Sequence, residues 1–256
     1  MNLIALPAFT DNYIWILHDG HPAFVVDPGE SAPVSAALDA QQLVLAAILV
    51  THHNADHVGG VDPLRERLPA PVYWRKRERI TEPCVALRDR NSGGVPGLRF
   101  EVTDLPADTS RRIAYFDAAD TAEPILFCGD TLCSSGCRPL FEGTPAQLRP
   151  SRSRLAPLSG DTRVCYGDEY TLSNPKVARS VEPNNPDLAE YVDGRDAQRK
   201  RGRATLPSSI ARERLVNPFL HCGQSAVAHS AREHGANCDD PDAAPAALRQ
   251  WKNNFR

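Results

Sequence analysis

Residues 43–50, LVLAAILV, are eight consecutive apolar residues with no polar position among them. A strand wetted on one face alternates. An unbroken run of this length reads instead as a strand buried on both faces, the kind found in the parallel sheet of an α/β layer. The run stops abruptly in THHNADHVGG, residues 51–60, where the chain presents His52, His53, Asn54, Asp56 and His57. Side chains at the carboxyl end of such a strand face the crevice in which open α/β sheets bind ligands. Imidazole beside carboxylate suits zinc, iron or manganese. Three of the eight histidines fall within these six residues, 52–57, so the pattern predicts a metal site.

Asp130 follows the same logic. It ends the apolar stretch 125–128 in Phe127-Cys128-Gly129-Asp130-Thr131. Alone it would be a turn or a helix cap; beside a histidine cluster elsewhere in the sheet it reads as a carboxylate bridging two metals. Shorter apolar runs between turn signals predict further strands at 3–7, 13–17, 23–26, 71–74, 98–102, 113–116 and 163–166. Helices are expected over 31–41 and from the paired glycines to about residue 68. After about residue 173 strand-like runs give way to helical ones, drawn at 175–181, 186–199, 208–215, 223–234 and 243–255. The expected organisation is an α/β metal domain over 1–172 and a smaller helical domain over 173–256.

Composition excludes several classes. The 256 residues are 41% apolar and 24% charged, which suits a globular core. A net charge of −3 argues against charge-driven binding to nucleic acid or a membrane surface. The basic cluster at 75–79 lacks interleaved aromatics and reads as a solvated face. No apolar run approaches the roughly 20 residues of a membrane span, and the first ten residues lack the basic region of a signal peptide. Seven cysteines without a CxxC pair fit a reducing cytoplasm.

The stretch 51–60 resembles the THxHxDHxGG signature of the metallo-β-lactamase superfamily. Further stretches are similar to the glyoxalase II, or hydroxyacylglutathione hydrolase, family. They are PAFTDNYIW (7–15), VDPG (26–29), FCGDTL (127–132), LFEGT (140–144), DEYTLSN (168–174), NPF (217–219) and LRQWK (248–252). The resemblance spans nearly the whole chain. It implies an αββα sandwich with a smaller C-terminal helical domain that helps bind glutathione. It implies two divalent metal ions, zinc with iron or manganese as alternatives. The implied reaction is hydrolysis of S-(2-hydroxyacyl)glutathione, such as S-lactoylglutathione, to glutathione and a 2-hydroxy acid by metal-activated hydroxide. The implied protein is a monomer acting on a small thioester, with Asp56 and Asp130 as catalytic carboxylates and Tyr170, Arg138 and Phe141 at the substrate.

The chain departs from the family pattern at its ligands. The resemblance implies seven metal-ligand positions, which here are His52, Asn54, Asp56, His57, Asp108, Asp130 and Asp168. Four carry the expected residue: His52, Asp56, His57 and Asp130. Asn54, Asp108 and Asp168 each stand where the family has histidine. Independently of any family, no histidine occurs between residues 58 and 220, so further ligands from mid-chain must be Asp, Glu, Asn or Cys. A basic position after Cys-Gly falls on Pro139, with Arg138 one place earlier. A more anionic, oxygen-rich ligand set favours harder cations and acidifies bound water less. The expectation is therefore an impaired hydrolase, the alternative being a non-catalytic relative that has lost a competent dinuclear site.

Overall fold

The computed structural model describes residues 1–75, 83–89, 100–105, 112–117, 123–137, 151, 153–170, 173–237 and 243–255. By its contacts the chain divides into two compact units. The first comprises Met1–Asp104, Arg111–Gly129 and Cys165–Asp168; the second comprises Leu105–Ser110, Asp130–Val164 and Glu169–Arg256.

The first unit is built on a six-stranded sheet of β1 (Asn2–Ala8), β2 (Asn12–His18), β3 (Pro22–Val26), β4 (Val44–Leu49), β5 (Val72–Arg75) and β6 (Val85–Leu87), in that order. β1, β2 and β3 pair antiparallel; β3 through β6 pair parallel. The apolar run 43–50 contains β4, held between β3 and β5. Helices α1 (Ser31–Gln41), α2 (Ala55–Val58) and α3 (Val61–Arg67) follow β3 and β4. One face of the sheet packs against α1 and α3: Ile14, Ile16, Val25, Ile48 and Val50 share a core with Val34, Leu38, Val61 and Leu64.

The other face meets the second sheet of this unit. There β7 (Phe100–Asp104), β8 (Ile113–Asp117) and β9 (Ile125–Gly129) form an antiparallel meander, with β10 (Arg163–Tyr166) beside β9. Hydrogen bonds join the layers. The Trp15 indole donates to the Tyr166 carbonyl at 2.7 Å, and the Tyr115 hydroxyl reaches the carbonyls of Val50 and Tyr73 at 2.9 and 3.0 Å. β2 is buried at all seven positions because it lies between α1 and the second sheet.

The second unit carries α4 (Asn174–Val181), α5 (Pro186–Lys200), α6 (Ile210–Val216), α7 (Ser225–Glu233) and α8 (Ala243–Asn254). Proline stands in the first turn of α4 and α5, where its missing N–H costs nothing. The expected helix over 208–215 begins later. Ser208 and Ser209 form β11, pairing with Val164 and Arg163, and α6 starts at Ile210 with Ser209 as its side-chain cap. Glu213, fully buried, holds this unit together. Its carboxylate accepts from Ser208 Oγ, Ser134 Oγ, the Ser135 amide and Asn217 Nδ2.

Candidate metal centre

The parallel strands β3 and β4 end side by side, and each delivers a loop to the same place. From β3 comes Asp27, 3% exposed, with φ +51. From β4 come Thr51 and His52, then α2 with Asp56 and His57. Gly29 lets the loops close on each other: a Cβ there would lie 2.0 Å from the Asp56 carbonyl oxygen. Gly129, at the end of β9, has φ +50 and packs so tightly that a Cβ would meet Thr51 Oγ1 at 2.3 Å. Only glycine satisfies both constraints there.

The hydrogen bonds fix the two imidazoles. Asp27 accepts from the Thr51 amide at 2.8 Å and from Thr51 Oγ1 at 2.6 Å. The single Thr51 hydroxyl proton is thereby used. In its 3.0 Å contact with His52 Nδ1 the hydroxyl oxygen must then accept, so His52 carries its proton on Nδ1 and presents Nε2 as the donor for a cation. Asp27 Oδ2 also lies 3.2 Å from His57 Nδ1, which turns His57 Nε2 the other way, 3.5 Å from Asp56 Oδ2. The two rings stand 4.1 Å apart between centroids. Burial alone would lower the pKa of His57, but hydrogen bonds to Asp27 and Asp56, and their charges, outweigh it and raise it to about 9. Asp27 moves the opposite way. Burial would raise its pKa, yet the bond to His57, the charges of His57 and His52 and the Thr51 bond together hold it below the usual carboxylate value.

Asp168, 2% exposed, follows β10 and forms an isolated bridge with Asn12. The Asn12 amide donates from Nδ2 to Asp168 Oδ1 at 2.8 Å and to Asp56 Oδ2 at 3.2 Å. Two groups of candidate ligands result: Asp56, His57 and Asp168, and Asp27, His52 and His57. Within each, the ligand atoms lie within 4.8 Å of one another. Zinc-class bonds of about 2.1 Å put neighbouring donors roughly 3–4 Å apart, so either group fits one divalent cation.

The structure thus brings together His52, Asp56, His57 and Asp168. Asn54 is half-buried at the N-cap of α2, where its carbonyl accepts from the amides of His57 and Val58. Asp130 is 3% exposed, directly follows Gly129 and stands in neither group. Tyr170 is half-buried in the second unit, its carbonyl accepting from the Asn174 amide. Asp108, Arg138 and Phe141 lie outside the described residues. Sequence reasoning gave no role to Asn12, Thr51 or Asp27. Asp27 had the same signal as the histidines, a polar residue at the carboxyl end of an apolar strand. Asn12, at the amino end of β2, had none.

The chain is similar to known proteins over its whole length. The metallo-beta-lactamase superfamily model matches residues 8–83, and the hydroxyacylglutathione hydrolase C-terminus model matches residues 169–255. The hydroxyacylglutathione hydrolase of Albidiferax ferrireducens is 49% identical over 255 residues, covering 100% of each chain. That of Cupriavidus metallidurans is 46% identical over 260 residues, covering 98% of each. The crystal structure of ETHE1 from Myxococcus xanthus superposes with a TM-score of 0.65 at 24% identity over 100% of both chains, a likeness of fold. No helix among the described residues is long and apolar enough to cross a membrane. A two-sheet layer with its histidines and carboxylates at the strand ends, and 46% and 49% identity to these relatives over nearly the whole chain, lead to one conclusion: the chain belongs to the hydroxyacylglutathione hydrolase family, within the metallo-β-lactamase superfamily.

Proposed function

We propose that this protein is a metal-dependent thioester hydrolase that converts S-(2-hydroxyacyl)glutathione, such as S-lactoylglutathione, to glutathione and a 2-hydroxy acid. The observation that carries the reading is the group Asp56, His57 and Asp168, assembled at the strand ends of a chain aligned end to end with hydroxyacylglutathione hydrolases. Neither the fold nor the relatives favour the non-catalytic alternative.

Residues 1–172 form the metal domain and 173–256 the helical domain that helps hold glutathione. The ligand set is His52, Asn54, Asp56, His57, Asp108, Asp130 and Asp168, for two divalent ions, zinc with iron or manganese as alternatives. When bound, such cations supply a water acidic enough to lose its proton near neutral pH and positive charge for the developing oxyanion. Asp27 and Thr51 fix the imidazoles. Asp56 and Asp130 supply anionic charge beside the attacking water. Tyr170, Arg138 and Phe141 contact the glutathione moiety. The thiolate leaves without a strong general acid, because a thiol is acidic compared with an alcohol or amine. The protein acts as a monomer in the cytoplasm. With Asn54, Asp108 and Asp168 in place of imidazoles, turnover is lower than in relatives that keep them.

The test is hydrolysis of S-lactoylglutathione with zinc, manganese and iron supplied in turn. Metal-dependent turnover that disappears in Asp130→Ala is expected. A folded protein inert with every metal overturns the reading.

A further inference from the structure

The two candidate ligand groups are alternatives. Both need His57, and one imidazole presents one Nε2. Asp27, in the group with His52 and His57, is committed: its two oxygens accept from the Thr51 amide and hydroxyl, and Oδ2 also faces His57 Nδ1. It orients ligands. The group of Asp56, His57 and Asp168 is arranged differently. Its carboxylates, Asp56 and Asp168, come from loops 112 residues apart in sequence and are brought together by one neutral side chain, Asn12. Asn12 is 8% exposed and gives both protons of its amide nitrogen to these two acids. Like charges in a buried place repel, and a donor shared between them offsets part of that repulsion without bringing a positive charge that would compete with a cation.

We infer that Asn12 is the positioning residue that holds the Asp56 and Asp168 carboxylates in register for a cation shared with His57, and that the carboxylate at position 168 shifts this two-oxygen, one-nitrogen site from zinc toward manganese. The inference rests on the metal-dependent reading above and deepens it by naming the class of cation and the residue that positions two of its ligands. Replacing imidazole by carboxylate hardens the donor set, so the margin by which zinc normally exceeds manganese is narrowed here. Asn12 acts through its acceptors, as outer partners of metal ligands do, and their loss typically lowers metal affinity 10- to 100-fold.

The experiment is metal titration of the chelator-stripped full chain, with manganese followed by its electron paramagnetic resonance signal and zinc by competition against a chromophoric chelator. The expected result is one tight manganese ion per chain. Asp168→Asn, which keeps an acceptor for Asn12 and loses the charge, weakens it at least ten-fold. Asp168→His raises the ratio of zinc to manganese affinity at least ten-fold. Asn12→Ala weakens manganese 10- to 100-fold; Asn12→Ser, a smaller change, reads the same way if the alanine variant does not fold. Unchanged manganese affinity in folded Asp168→Asn, or in folded Asn12 variants, overturns the inference, as does a zinc-to-manganese ratio indifferent to Asp168→His. Tight binding with this mutational pattern but no thioester hydrolysis sustains the inference and overturns only the proposed reaction.

Discussion

At the scale of single residues, the centre depends on one hydroxyl. Thr51 Oγ1 donates to Asp27 and accepts from His52, so it sets the His52 tautomer while helping to hold the Asp27 carboxylate that faces His57. Thr51→Val keeps the shape and removes both contacts. The variant should lose about 1–3 kcal/mol of stability, because the buried Asp27 Oδ2 then loses its shortest hydrogen bond and keeps only the longer one to His57 Nδ1, and about ten-fold or more in metal affinity. Denaturant unfolding of the stripped protein and metal titration measure the two. A valine variant with wild-type affinity would show that the backbone amide of Thr51 suffices. Legibility follows the same physics. His52, Asp56 and His57 were readable because imidazoles are scarce and clustered beyond a buried strand. Asp168 was readable only by its place before Glu-Tyr. Asn12 was not, since an asparagine at a strand end looks like any turn residue, and its role exists only once the loops carrying Asp56 and Asp168 meet.

At the scale of elements, β2 and the middle and end of β4 declared themselves because they are almost wholly buried. β4 and β2 contain almost nothing but apolar residues, and the end of each run marks the end of its strand to within a residue or two. β6 escaped notice because three residues carry no period, and its pairing with β5 is a tertiary fact. β11 was absorbed into a helix because Ser208 and Ser209 precede a good helical sequence; their extended backbone pairs with β10, and Ser209 caps α6. What stabilises that corner is again polar. Glu213 in α6 accepts from Ser208 in β11, from Ser134 and the Ser135 amide in the turn after β9, and from Asn217 just beyond its own helix. Glu213→Gln would turn an amide N–H₂ toward groups that are themselves donors. The expected cost is about 2 kcal/mol or more, read from the denaturant midpoint. A change below about 0.5 kcal/mol would place Glu213 among tolerant surface-like sites.

At the scale of the whole molecule, the asymmetry between the units makes metal binding visible as stability. Every residue of the two candidate ligand groups belongs to the first unit, and so do Trp15 and Trp74, both 2% exposed. Trp251, stacked on His234 with ring centroids 3.6 Å apart, belongs to the second. The three tryptophans are the only ones in the chain, so Trp251→Phe leaves a fluorescence signal that reports the first unit alone. A ligand that binds only the folded state stabilises it by about 2.7 kcal/mol at a hundred times its dissociation constant. Manganese at that level should therefore raise the unfolding midpoint read by Trp15 and Trp74 by several degrees, and a chelator should return it. The same addition to Asp168→Asn should give a smaller shift, because the ion has lost a charged donor while the fold has not. A midpoint indifferent to metal in the parent protein would mean that the strand-end carboxylates and imidazoles do not hold a cation, and the metal-dependent reading of the chain would fall with it.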